Sequence, residues 1–123
     1  THDIVIIEGQ GSLLHPGSSA TLSLLRGSCA THLIMCHRAR TTTLRTPKSV
    51  AMPNLAEFIR LNEEVARACG SLTRARTIGV ALNTAGLSDN DARDEIAALE
   101  REVQLPVADV VRGDAGKLGA LLG

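Results

Sequence analysis

Ile4-Val5-Ile6-Ile7 is an unbroken run of β-branched apolar residues that stops on Glu8. Such a run predicts a strand over 4–8 buried on both faces, the habit of parallel sheets. It empties into a loop carrying Gly9, Gly11 and Gly17. Two later runs repeat the arrangement, 33–37 stopping on His37 and 77–83 stopping on Asn83. Ligands of open α/β sheets bind just outside the carboxyl ends of the strands. Polar residues at three successive strand ends therefore predict one shared ligand edge. A strand-terminal carboxylate or a turn-forming Asn also has a purely local use, capping a helix or closing a turn.

Helical periods separate these runs. A short apolar helix is expected from Ala20 to Leu25, closed by Gly27. A second begins at Asn54, with Glu57 three residues on as in a capping box. Its apolar stripe is Leu55, Phe58, Ile59, Val65, Ala66 and Cys69, and Gly70 is its expected stop. Ser88 caps a third, whose Asp89, Asp91 and Asp94 suit the positive end of the helix dipole. A fourth strand over 106–111 and a last helix over 115–122 complete the order β-α-β-α-β-α-β-α. That order predicts an α/β fold: a parallel sheet with right-handed crossovers and helices on both faces. Gly79 and Ala81 leave one face of the third strand free of bulk, so a helix can pack closely there.

The 123 residues suffice for one core. Phe58 is the sole aromatic residue, so that core is aliphatic, and the stacking platforms of single-stranded nucleic-acid binders are missing. Net charge is zero, yet no Asp or Glu lies between Gly9 and Ala56, where Arg26, Arg38, Arg40, Arg45 and Lys48 fall. This segregation predicts a local anion site rather than a nucleic-acid face. No apolar run approaches the roughly 20 residues of a membrane span, so neither nucleic acid nor membrane is an expected partner, and the expected location is the cytoplasm. Cys29, Cys36 and Cys69 form no CxxC pair and are expected to be buried, reduced thiols. Cys36 and His37 are strand neighbours and so point to opposite faces, which argues against a zinc site with Cys29 and His32.

The candidate cleft follows from these placements. Glu8 is the expected metal ligand, holding a divalent ion such as Mg²⁺ or its water shell. Gly9, Gln10, Gly11 and Ser12 form a loop whose backbone can approach an anion. Arg38, Arg40 and Arg45, on or after the second strand, would neutralise negative charge. Glu8, His15 and His37 are the candidate catalytic groups, the histidines as acid–base residues or hydrogen-bond donors. No GxSxG, HExxH or complete GxGxxG pattern occurs, and no GxxxxGK[ST].

IIEGQGSLLHPG, the CHR that ends the second strand, the basic Thr-rich loop and GVALNTAGLSD together resemble one family over nearly the whole chain. It is the carboxy-terminal P-loop-like domain of bacterial proteins long classed as a family of unknown function, some described as D-glutamate N-acetyltransferases. More distantly, the EG-x-G strand end is similar to dethiobiotin synthetases. There the matching acid helps hold magnesium and the Asn matching Asn83 contacts adenine. The resemblance implies a partial P-loop NTPase-like domain lacking its Walker A strand and loop. Acetyl-CoA or ATP, with Mg²⁺, would be its cofactors and an acidic amino acid its substrate, and the complete protein would be a homo-oligomer. Family members carry an amino-terminal Rossmann-like domain and a GK[ST] loop that these residues do not include. Residues 1–123 are therefore expected to be the carboxy-terminal part of a longer protein, binding ATP or acetyl-CoA weakly on their own. Acyl transfer is the first functional expectation. An ATP-dependent ligase of the dethiobiotin synthetase type and a non-catalytic binding domain are the alternatives.

Overall fold

The computed structural model describes residues 3–122. Strands His32–Arg38 (β1), Arg76–Asn83 (β2) and Val107–Asp109 (β3) form one parallel sheet in the order β1-β2-β3. Helices Ala20–Gly27 (α1), Leu55–Arg67 (α2), Asp89–Val103 (α3) and Gly116–Gly119 (α4) alternate with them. Among the described residues no helix is long and apolar enough to cross a membrane.

The central strand β2 organises the core. Val80 and Leu82 pack with Val107, Val103 of α3, and Leu55, Phe58 and Ile59 of α2. Gly79, one residue from Val80, belongs to the opposite face. A Cβ there would lie 2.7 Å from Leu118 Cδ2 and 3.1 Å from the Pro106 carbonyl oxygen. The expected close approach is thus real, and the short α4 makes it.

Local chemistry explains the helix starts. Asn54 Oδ1 accepts the Glu57 amide at 3.2 Å, and Glu102 Oε1 of α3 accepts the Leu55 amide at 2.8 Å. Ser88 Oγ accepts the Asp91 amide at 3.1 Å. The stop of α2 differs from expectation. Ala68 and Cys69 both adopt left-handed backbone, φ 45° and 59°, so the helix closes before Gly70.

Four further expectations are corrected. Residues 4–8 form no strand, and Ile4 to Ile7 are 51–82% exposed. Periodicity records what a strand would bury, but a strand also needs a hydrogen-bonding neighbour, and no described segment pairs with this one. All three cysteines are exposed: Cys36 lies on the open side of β1, Cys29 and Cys69 in left-handed turns. The last strand ends at Asp109 because its carboxylate accepts the amides of Val111 and Arg112, turning the chain out of the sheet. The last helix shrinks to α4, whose Gly116 and Gly119 favour helix weakly.

Gly79→Val tests this packing. Leu118 can shift but the Pro106 carbonyl cannot, so overpacking is expected to cost about 1–3 kcal/mol. Urea denaturation reads the loss, and Gly119→Ala, where nothing lies within 4 Å of a new Cβ, serves as control.

Candidate functional site

The glycine loop and the basic loop converge. Leu13 and Leu14 anchor the loop before α1 against the core. Within it Ser12 Oγ accepts the Leu14 amide, and the His15 amide donates to the Ser12 carbonyl. The Thr-rich loop after β1 folds back on itself. Leu44 N–H donates to the Val50 carbonyl and Met52 N–H to the Thr42 carbonyl, each at 2.9 Å, holding Arg45 in the enclosed turn. Between the two loops lies an open cavity of about 620 Å³, lined by Gln10, Gly11, Ser12, His15 and Ser18 on one wall and by Leu44, Arg45 and Thr46 on the other. Arg45 is its one formally charged lining residue. The cavity therefore favours an anion.

The other candidates divide. Glu8 lies outside the sheet, exposed, accepting a hydrogen bond from Gln10 Nε2 at 3.0 Å. Gly9 is explained by packing, since a Cβ there would collide with Leu24 of α1. Gly11 has φ 109°, and a Cβ would meet Ser18 and Thr21. His37 and Arg38 close β1, with Arg38 opposite Asn83 in the ladder. His37 and Asn83 thus share the carboxyl edge, as expected, while Glu8 is not a strand end. Arg40 is already compensated: it reaches Asp91 at 3.0 Å and Glu95 at 3.1 Å on α3, which holds its pKa above the ordinary value. Its expected role toward a ligand therefore competes with two carboxylates.

The two histidines differ in chemistry. Burial lowers the His37 pKa below its ordinary value, with Glu102 and Glu95 pulling the other way, so the neutral ring extends to lower pH. His15 Nδ1 accepts the Gly17 amide at 3.0 Å. Its neutral tautomer then carries the ring proton on Nε2, making that nitrogen a donor. Among the described residues no three His, Cys, Asp or Glu side chains gather around a common point. Mg²⁺ is usually held by one or two carboxylates plus ligand phosphates and water. Glu8 fits that pattern as a single exposed carboxylate.

One cluster escaped sequence reasoning. At the ends of β2 and β3, Thr84 and Asp109 are buried, and Thr84 Oγ1 donates to Asp109 Oδ2 at 2.7 Å. The Arg112 guanidinium joins both side chains and extends to Asp89 at 2.9 Å and the Leu87 carbonyl at 2.7 Å. Burial drives the Asp109 pKa up, but the hydrogen bonds from Thr84, the two backbone amides and Arg112 prevail and leave it lowered. The signal in the sequence is weak: Asp109 is the polar residue inside the apolar run 106–111, with Val110 and Val111 following it.

Known proteins agree with this architecture. A profile described as a domain of unknown function, the DUF1611 carboxy-terminal P-loop domain, matches residues 1–119. The chain belongs to that family. A crystal structure of a DUF1611 family protein from Anabaena variabilis superposes with a TM-score of 0.90 at 47% identity, covering 94% of this chain and 34% of that one. A D-glutamate N-acetyltransferase from Tritonibacter scottomollicae is 31% identical over 114 residues, 92% of this chain and 34% of the relative. One from a Pseudoalteromonas species is 30% identical over 118 residues, 95% of this chain and 35% of the relative. The DUF1611 chain described here thus spans about a third of the length of each.

A depressed carboxylate pKa stabilises the fold fully above the unfolded value, about 3.9 for Asp, and the contribution is lost as pH falls through the folded value. Stability should therefore drop below about pH 4, with Asp109 and Asp91 contributing. Asp109→Asn should cost about 1–3 kcal/mol at neutral pH by leaving buried donors poorly matched. It should also flatten the acid slope, both read by thermal melting across pH.

Proposed function

We propose that this domain serves acyl transfer from acetyl-CoA to the amino group of an acidic amino acid, within a D-glutamate N-acetyltransferase-like protein. The cavity between the glycine loop and the basic loop is the observation that carries the reading. Its single formal charge is the Arg45 cation, and Ser12, Ser18 and the His15 Nε2–H supply neutral hydrogen bonds beside it. Coenzyme phosphates and an acidic amino acid are both anionic, so this chemistry suits them. The names of the two acetyltransferase relatives support the choice of reaction.

In that reaction the substrate amine attacks the thioester carbonyl, the C–S bond breaks, and coenzyme A leaves as its thiol. The amine must shed one proton. His37, whose neutral form is favoured by burial, is the proposed acceptor on the carboxyl edge. His15 donates to ligand oxygen, and Arg45 offsets ligand charge. Bound Mg²⁺ would screen phosphate charge, with Glu8 the residue to hold it. The family's description as a P-loop domain favours a second reading, phosphoryl transfer from ATP. The two give different products, free coenzyme A or ADP.

Titration of ¹⁵N-labelled protein with acetyl-CoA tests the reading. Shifts are expected at Gln10–Ser18 and Leu44–Thr46, with millimolar affinity weakened at least about fivefold by Arg45→Ala, since one charge-assisted contact contributes roughly 1 kcal/mol or more. Shifts scattered over the surface, or none, would retire the proposal. A companion prediction concerns Glu8. Glu8→Gln should leave the melting temperature unchanged and abolish any Mg²⁺-dependent gain in binding.

A further inference from the structure

Thr77, the second residue of β2, carries a polar atom for which the fold has no partner. Its amide donates to Glu63 Oε1 of α2 at 2.7 Å, but its side-chain Oγ1 is buried without a hydrogen bond among the described residues. Only 7% of the residue is exposed. A buried hydroxyl left this way loses its hydration uncompensated, so its placement needs a reason. The register of the sheet supplies part of one. Leu33 lies opposite Thr77 but Ile34 lies opposite Gly79, so Ile78 is an extra residue in the ladder. Such a bulge re-aims the side chains beside it.

Thr77 lines a cavity of about 100 Å³. Its other walls are Leu25 of α1, Leu33, Ile34 and Met35 of β1, and Asn62 of α2. Asn62 is also buried, and its Nδ2 donates to the Phe58 carbonyl at 2.8 Å, which leaves Oδ1 as an acceptor. The Ile34 wall is 40% exposed, so the cavity reaches the surface along the outer margin of β1. It lies toward the amino ends of the strands, carries no formal charge and shares no residue with the Arg45 cavity.

Size and lining together select an occupant. A protein cavity of about 150 Å³ takes benzene, so one of about 100 Å³ has room for roughly four non-hydrogen atoms. Water alone would satisfy the polar corner at Thr77 and Asn62 but would also wet four apolar side chains. A hydroxyl on a short carbon chain satisfies both. We propose that this cavity is a binding site for a small neutral alcohol of about three carbons. Its hydroxyl bonds Thr77 Oγ1, and its alkyl end packs against Leu25, Leu33 and Met35. Charge has no part in this recognition, so the site stands apart from the coenzyme reading and does not depend on it.

1-Propanol is the probe, titrated by NMR into the methyl-labelled 123-residue chain. Saturable shifts confined to the methyls of Leu25, Leu33, Ile34 and Met35 are expected, at millimolar affinity, with NOEs from the propyl protons to the same methyls. Thr77→Val keeps the shape and removes the hydroxyl. It should weaken 1-propanol at least about fivefold, the effect of one neutral hydrogen bond. Thr77→Ser keeps the hydroxyl and should bind the alcohol nearly as well as wild type. Xenon has no hydrogen-bonding group, so Thr77→Val should take it at least as well as wild type. If Thr77→Val does not fold, Thr77→Ser against Thr77→Ala carries the comparison. Shifts that never saturate, or equal 1-propanol affinity with and without the Thr77 hydroxyl, would overturn the inference. So would parallel loss of 1-propanol and xenon in Thr77→Val, which means lost shape. Water NOEs to Thr77 that persist at high 1-propanol would assign the cavity to solvent and overturn it too. Each of these failures leaves the coenzyme reading untouched.

Discussion

Everything in this domain hangs on β2 being paired on both edges and covered on both faces. A parallel strand gives no face to solvent, so its residues must find a helix above and a helix below. Val80 and Leu82 meet α2 and α3 on one face. On the other, Gly79 lets α4 approach within contact of the backbone. That arrangement sets the carboxyl ends of β1, β2 and β3 side by side: His37, Leu82 and Asp109 fall in one row of the ladder, and Arg38 lies opposite Asn83 one residue on.

Acidic residues in the first turns of α3 have an obvious local use, favourable interaction with the helix dipole. The structure adds a tertiary one. Asp91 and Glu95 take Arg40 from the loop after β1, and Asp89 takes Arg112 from the turn after β3. One helix end therefore ties together loops from both sides of the central strand. Exposed ion pairs of this kind contribute little stability individually. Their value is geometric, since they fix which way two loops lean.

Much of this was legible in the residues. The runs ending at His37 and Asn83, the Asn54 and Ser88 caps and the close approach at Gly79 are all local or periodic signals, and all appear in the fold. The Ile4–Ile7 run misleads because hydrophobic pattern specifies what a strand buries and not what it pairs with. The early stop of α2 was hidden because Ala68 and Cys69 are not residue types that announce left-handed backbone. Of the site, the meeting of the glycine loop with Arg45 followed from the charge segregation. The role of Arg40 did not, because a cation's partner in another element leaves no trace in its own neighbourhood. Arg112 was missed for the same reason.

The exposed Ile4–Ile7 segment has a consequence for the protein as a colloid. With a formal net charge of zero at pH 7 and an isoelectric point near 6.8, the molecules have little mutual repulsion to keep them apart near neutrality. β1 also presents an edge with no strand on its outer side among the described residues, and Ile34 stands 40% exposed along it. Unpaired strand edges and β-branched apolar segments are the two ingredients of intermolecular strand addition. Among the described residues, Ile4–Ile7 and the outer margin of β1 are thus the two segments with the means to add strands between molecules.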